Sequence, residues 1–177
     1  MGDVGAEEPI RIVPYDSSWP LRFEDERAAL RAAIGDWAVG GIHHVGSTAV
    51  PGLEAKPIID ILVGVNDLQT SRSCFDRLIA LAYVYAPYTS EEMHWFCKPD
   101  PRRRTHHLHV VPADSSRFRD ELAFRDYLRN HGDVAREYGG LKRRLAKQFE
   151  HDREAYTAAK AEFVDATVRR ALSETAD

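Results

Sequence analysis

Cysteine is scarce in this chain, with Cys74 and Cys97 the only two among 177 residues. They have no CxxC spacing and no zinc-type grouping with histidine, which excludes a disulfide scaffold and suits a reducing compartment. Long apolar runs are also missing. Nowhere do eighteen apolar residues stand together, and the stretch MGDVGAEEPIRIV has neither a positive segment nor an apolar one. No membrane span and no secretory leader are therefore expected, and the expected location is cytoplasmic. Positive charge is not in excess: 24 Lys and Arg face 28 Asp and Glu, for a net charge of −4, so a general nucleic-acid binder is not expected. The local clusters Arg102-Arg103-Arg104 and Lys142-Arg143-Arg144 suit either water or phosphate groups. A P-loop, a dinucleotide-binding glycine pattern, a Ser-His-Asp order and a Cys-His pair are all absent.

What is present fits one domain, since 44% hydrophobic and 29% charged residues over this length supply a sizeable core and a solvated surface. Residues 1–9, small and acidic, are expected to be disordered, and 10–172 to form a single α+β domain without repeat or linker. Ile10–Val13 reads as a short strand. Ser17-Ser18-Trp19-Pro20 reads as a helix start, with apolar residues recurring at helical spacing to Trp37 and Gly35 as a terminator. Ile42–Val45 and Pro57–Val65 read as strands around the Gly46-Ser47 turn and the Pro51-Gly52 loop. Asn66-Asp67 caps a second helix. Tyr83–Tyr88, Met93–Lys98 and Thr105–Val111 read as three further strands, the last two a hairpin. The remainder is helical: one helix capped by Ser115-Ser116 and ending near Asn130, another capped by Asp133, and a last one through Tyr156 and Val168.

One carboxylate interrupts the most apolar strand. Ionised and unpaired, Asp60 there would cost several kcal/mol, so it needs a cation, a metal or backbone donors, and Lys56 is the nearest cation in sequence. Alternation puts Asp60, Leu62 and Gly64 on one face, with Gly64 leaving room there, and Ile59, Ile61, Val63 and Val65 on the other. A Gly46-Ser47 turn beside Asp60 suits phosphate on backbone amides and Mg²⁺ on the carboxylate; a plain tight turn and a satisfied buried Asp suit the same residues. Along the fifth strand His107 and His109 share a face opposite His106, Leu108 and Val110, a pattern that suits convergence on a metal or an anion and equally suits histidines that hydrogen-bond or pack in a half-buried strand. Zinc would want a third ligand, for which His94 is the nearest histidine. Glu91 and Glu92 read as solvated, and Asp126 with Arg129 or Asn130, and Asp152 with Arg153, as helix-surface pairs.

The runs His44–Leu53 and Ala55–Ile61 resemble the GrpB family. So do Trp19-Pro20 with Phe23, Arg104–Val110, Phe124–Arg129, Glu137-Tyr138 with Leu141-Lys142, and Asp152–Tyr156 with Lys160, covering about Val13 to Ala166. The resemblance implies the nucleotidyltransferase fold, a mixed β-sheet flanked by helices with a helical C-terminal part. It assigns Gly46 and Ser47 to phosphate, Asp60 to Mg²⁺ and Lys56 to phosphate or charge pairing, with Arg104 and Lys142 as further candidate ligand-binding residues. The implied function is binding of a nucleoside triphosphate with Mg²⁺ and transfer of a nucleotidyl group to a small-molecule acceptor near Asp60, His107 and His109. One departure matters. Catalytic members carry Asp-x-Asp, whereas this chain reads Asp60-Ile61-Leu62, so Glu91, Glu92 or the His107/His109 pair would have to take the second carboxylate's place. The alternative is a non-catalytic nucleotide- or anion-binding or regulatory module. The oligomeric state, the base and the acceptor are left open by the sequence.

Overall fold

In the computed structural model, which describes residues 8–87 and 90–175, helix α1 (Trp19–Ile34) starts where Pro20 needs no N–H donor and stops at Gly35. β1 (Gly41–Val45) and β2 (Ile59–Val65) follow, joined through a 3₁₀ turn at Ser47–Ala49. The helix expected after Asn66-Asp67 is broken in two. Asp67 does cap α2 (Leu68–Ser71) by accepting from Thr70 N–H, but a 3₁₀ turn at Arg72–Cys74 separates it from α3 (Phe75–Ala80). β3 (Val84–Ala86), β4 (His94–Pro99) and β5 (Arg104–Pro112) complete the strands. Four helices close the chain: α4 (Ser116–Asn130), α5 (Gly132–Gln148), α6 (Arg153–Ala158) and α7 (Ala161–Glu174).

Three boundary expectations need correction. Ile10–Val13 forms no strand and contributes one bridge, Val13 to Ala55. Asp133 lies in the first turn of α5, whose N-cap is His131. The last helix is two, because a fresh start at Asp152, whose carboxylate accepts from Ala155 N–H, is followed by a break before Ala161. The expected disorder of 1–7 and the strand end at Tyr88 lie outside the described residues.

The sheet order is β1-β2-β5-β4-β3, with β2 and β5 parallel and the other neighbours antiparallel. It is a mixed sheet in an α+β fold, as expected. Ile59, Ile61 and Val63 are fully buried on one face with Leu30, Ile34, Leu78, Phe96 and Leu108, each such side chain contributing about 1.5–3 kcal/mol of burial. A second apolar cluster lies on the opposite side, where Phe124, Tyr127, Leu128, Val134, Tyr138 and Ala171 from the closing helices pack against Val50 and Leu53. The polar face of β2 and β5 therefore ends in a cleft between sheet and closing helices.

Gly64 does not open room in that cleft. A Cβ there would stand 2.7 Å from Phe118 Cε2 and 2.8 Å from Gly40 Cα, so glycine is required by the crossing of β2 under the segment before β1 and the start of α4. Gly64→Ala should lower the unfolding free energy by about 1–3 kcal/mol through overpacking. Urea unfolding reads it: a lower midpoint at unchanged slope is expected, and an unchanged midpoint would show that this crossing has slack.

Candidate functional site

Gly46 has φ +71°, and a Cβ on it would overlap Asp60 Oδ2 and come within 3.0 Å of Asp60 Cγ. The turn therefore lies directly on the carboxylate, as the sequence suggested. Behind it, Thr48 Oγ1 donates to the Ile58 carbonyl at 3.2 Å and stands 2.9 Å from His44 Nε2. The hydroxyl has one hydrogen, so His44 Nε2–H is the donor of that second bond. Burial pushes the His44 imidazole down to about 4, which keeps it neutral. From α4, Arg125 Nη1 donates to the His44 carbonyl at 3.1 Å and Arg129 Nε to the Ala49 carbonyl at 2.8 Å. These arginines also pair with Asp126 on the helix surface, but their reach to the turn is what fixes its position.

Asp60 finds its partner across the parallel register rather than along the chain. It stands opposite His107, as Leu62 stands opposite His109, and Oδ1 accepts from His107 Nδ1 at 2.9 Å. Lys56, the expected partner, contributes its charge from nearby. Burial opposes ionisation of Asp60, yet the hydrogen bond from His107, with the neighbouring His109 and Lys56, holds the carboxyl down to about 2. Burial pushes His107 below its ordinary value despite Asp60. The ring is then neutral, its proton on Nδ1 and its lone pair on Nε2, a buried acceptor without a hydrogen-bond partner. His109 is the opposite case. Glu121 accepts from its Nδ1 at 2.9 Å and, against the cost of burial, raises its pKa. Arg117 Nε bonds Glu121 at 3.1 Å and Arg117 Nη1 bonds Glu92 at 3.0 Å.

The closing helices bring cations. Lys142 is 2% exposed and its Nζ donates to the Glu54 carbonyl at 2.5 Å, with the Tyr138 ring 4.8 Å away. The Tyr156 ring lies 5.0 Å from Lys56 Nζ and 4.3 Å from Lys160 Nζ. Burial, reinforced by the neighbouring ammonium groups, pushes Lys142 down to about 7 and Lys160 down to about 8. Arg104 donates from Nε to Pro101 O at 2.7 Å and lies 5.1 Å over the Trp95 ring. These groups line a cleft of about 1250 Å³, whose far wall is formed by Phe124, Val164, Val168 and Leu172.

The structure thus gathers Gly46, Ser47, Lys56, Asp60, Arg104, His107, His109 and Lys142 around one cleft. His94 does not join them. It pairs with Val110 on the other face of the sheet, where Nε2 meets the Leu68 carbonyl at 2.6 Å. Glu91 is exposed, and Glu92 is engaged by Arg117 at the cleft rim. Glu121, Tyr138, Tyr156 and Lys160 were not singled out as site residues. The i,i+4 spacing of Arg117 and Glu121 was visible, but which face of α4 meets the sheet was not.

Mg²⁺ requires several hard oxygens in near-octahedral array. Here Asp60 is held by His107, the neighbouring face position is the buried Leu62, and Glu121 is held by His109. Among the described residues no three of His, Cys, Asp and Glu are grouped so as to hold a metal. The side chains do not fit a resident Mg²⁺; three ammonium groups around one carboxylate fit an incoming polyanion.

Comparison with known proteins agrees with this geometry at the level of fold. A family described as GrpB protein matches residues 9–170. The UPF0157 protein PA4798 of Pseudomonas aeruginosa is 42% identical over 174 residues, 96% of this chain and 70% of that protein. The crystal structure of the conserved protein GrpB from Enterococcus faecalis superposes with a TM-score of 0.85 at 31% identity, covering 94% of this chain and all of that one. The Cid1 poly(U) polymerase matches with a TM-score of 0.50 at 12% identity, over 77% of this chain and 43% of its own. That likeness establishes a nucleotidyltransferase-like fold and nothing about the reaction.

Removing the Asp60 carboxylate strands the His107 N–H and leaves three ammonium groups facing one another. Asp60→Ala should therefore cost about 2–4 kcal/mol of stability at neutral pH. The sign with pH follows from its depressed pKa: the stabilisation is complete above 3.8, the ordinary value, and is lost as pH falls toward 2. Urea unfolding of both proteins at pH 7 and pH 3 should show the gap narrowing in acid; equal stability at pH 7 would mean that the carboxylate holds nothing in the free protein.

Proposed function

The chain belongs to the GrpB family, and we propose that it binds the phosphate chain of a nucleoside triphosphate between the Gly46-Ser47 turn and Lys56, Lys142 and Lys160. The observation that carries this reading is the assembly of three amines around a single buried carboxylate. Keeping these amines charged costs free energy in the ligand-free protein, chiefly through burial and secondarily through their mutual repulsion, in line with the lowered values of Lys142 and Lys160. An arriving polyanion reverses that cost, because each ammonium then gains a charge-assisted hydrogen bond in a poorly solvated cleft. The Ser47 hydroxyl, next to Tyr138, adds a neutral donor. The wall of Phe124, Val164, Val168 and Leu172 gives the less polar part of the ligand a surface to cover. Lysines thereby supply charge that carboxylate-bound metal supplies where two strand carboxylates are present.

A second reading, nucleotidyl transfer, is favoured by one feature, the Asp60–His107 pair with an unprotonated Nε2. An acceptor hydroxyl that reaches Nε2 would pass its proton there as its oxygen forms a bond to the α-phosphorus and the bond to pyrophosphate breaks. Any Mg²⁺ in such a reaction would be part of the NTP·Mg²⁺ substrate.

Nucleotide binding should be coupled to proton uptake, because the bound anion raises pKa values that lie near 7 and 8 in the free protein. Calorimetric titration of ATP, UTP, GTP and CTP at pH 7.5 in buffers of different ionisation enthalpy should read that uptake. Affinity should fall as pH rises from about 6 to 9 and the amines discharge. A chain that takes up none of the four nucleotides at any pH in this range, with or without Mg²⁺, would sink the reading. Pyrophosphate release that disappears in Asp60→Ala would select transfer over binding alone.

Lys160→Met should weaken nucleotide binding at least tenfold while making the free protein more stable at neutral pH. The sign follows from a folded-state pKa depressed below 10.5: the cost of burying this ammonium appears as pH falls below that value and is fully present once it falls past about 8. A thermal midpoint raised by a few degrees in the variant, with a lost nucleotide-induced shift, is the expected pair of observations. A midpoint below wild type would mean that Lys160 is a structural group.

A further inference from the structure

Of the two histidines that β5 turns toward the cleft, the second stands beside Leu62. In the parallel register Leu62 pairs with His109 as Asp60 pairs with His107, so His109 is the cross-strand neighbour of the position that holds the second carboxylate where an Asp-x-Asp pair is present. Its Nδ1 donates to Glu121 Oε2 at 2.9 Å, which leaves Nε2 for a ligand in the cleft that both side chains line. Glu121 is itself fixed: its Oε1 accepts from Arg117 Nε at 3.1 Å, and Arg117 Nη1 reaches Glu92 at 3.0 Å. The helix that carries both residues is anchored at its start, where Ser115 Oγ accepts from Phe118 N–H at 3.2 Å, and on its inner side, where Phe118 and Leu122 pack against Val45, Leu62, Met93 and Val111. The helix that covers Leu62 is therefore the helix that delivers Glu121. The groups facing His109 are Glu121 and Arg117 from α4, Asp60 from β2 and His107 on its own strand, while β4 sets the uncharged Trp95 opposite it. Burial works against protonation of the ring and Arg117 opposes it, yet the two carboxylates raise its pKa above the ordinary imidazole value. Glu121 moves the other way against its own burial, as one ion pair requires.

We propose that His109 binds the phosphate chain directly, as a cation donating from Nε2, and that Glu121 is the positioning residue that keeps the ring charged and aimed. A ring whose Nδ1–H is committed to Glu121 donates from Nε2 only when both nitrogens carry protons, so binding and protonation are one event. A carboxylate at position 62 would meet a phosphate chain through a metal; with leucine there, the neighbouring strand supplies the positive charge without one. Asp60 acts on His109, Lys142 and Lys160 alike, so the imidazole and these two amines lie around the same carboxylate, within the reach of one extended polyanion. The class of ligand rests on the function proposed above; the hold of Glu121 on His109 does not.

The test is calorimetric titration of ATP and of inorganic tripolyphosphate, at pH 7.5 and pH 5.5, into wild type, His109→Gln and Glu121→Gln, with His109 Nε2 of the wild type followed by nitrogen-15 NMR. Affinities are compared as ratios to wild type at the same pH, which cancels titration of the ligand itself. His109→Gln should lose about tenfold for both ligands at both pH values, the loss of one charge-assisted contact. Glu121→Gln keeps a hydrogen-bonding group beside the ring and removes the charge, so a deficit of about tenfold at pH 7.5 should narrow at pH 5.5, where the ring gains its proton more readily. A merely structural Glu121 would give the same deficit at both. In the wild-type complex at pH 7.5 the Nε2 signal should be that of a protonated nitrogen, a readout that needs no variant. Wild-type affinity in His109→Gln, a Glu121→Gln deficit that does not change with pH, or an unprotonated Nε2 in the complex overturns the proposal, and ATP binding that persists in all three proteins would leave the nucleotide reading standing without it. Tripolyphosphate held through His109 with no uptake of ATP removes the nucleoside and keeps the histidine; uptake of neither ligand by wild type removes both.

Discussion

The contact between the Asp60 carboxylate and the backbone of Gly46 is the constraint around which the site is built. One oxygen takes the His107 N–H, while the other lies so close to Gly46 that no side chain fits. A carboxylate in that position requires strand β2 beside β5 in parallel register, because only that register sets Asp60 opposite His107. It also requires β1 to end where Val45 pairs with Asp60. Three strands are thus committed by one side chain. The rest of the neighbourhood follows from the charge: a carboxylate held near 2 attracts amines, and α5, α6 and the start of α7 bring Lys142, Tyr156 and Lys160 to it. The tyrosine rings let these ammonium groups approach an apolar wall, since the face of each ring is electrostatically negative.

Leu62 determines what kind of site this is. With a carboxylate there, two oxygens and the turn would have made a cation site, and lysines at Lys56, Lys142 and Lys160 would have competed with the ion. With leucine there, fully buried against Val45, Met93 and Val111, Asp60 is the one strand carboxylate near Lys142 and Lys160. Burial first, and the neighbouring amines second, lower the Lys142 and Lys160 pKa values in the free protein. Leu62 and the lysine cluster therefore belong to the same electrostatic solution, and neither makes sense as a site feature without the other.

Much of the frame was legible in the residues. Alternation along Pro57–Val65 placed Asp60 on the face away from the core, and the apolar partners Ile59, Ile61 and Val63 are where that alternation requires. The pairing of His107 and His109 on one face was legible for the same reason. The partner of Asp60 was not, because a parallel neighbour is set by long-range register and leaves no mark in local spacing, so Lys56 looked nearer than His107. Glu121 and Lys160 were missed for a related reason: helices expose several polar faces, and only packing decides which one meets a cleft. Gly64 was misassigned because a glycine beside a functional residue and a glycine under a crossing segment look alike in sequence. The Asp67 and Ser115 caps were found because their partners lie three residues away.

His107 and His109 sit two residues apart on one strand and shift in opposite directions from the ordinary imidazole value, and the difference comes from the elements that face them. His107 donates to a carboxylate that three lysines and the turn already share, so its gain from Asp60 is too small to offset its burial. His109 has Glu121 from α4, with Asp60 as a further favourable charge, and the gain exceeds the cost. A histidine whose burial lowers its pKa and a histidine whose carboxylate partner raises it therefore stand side by side on one strand. Nδ1 of each ring is committed to its own carboxylate, so the two histidines act on the site through the elements that hold Asp60 and Glu121 rather than through each other.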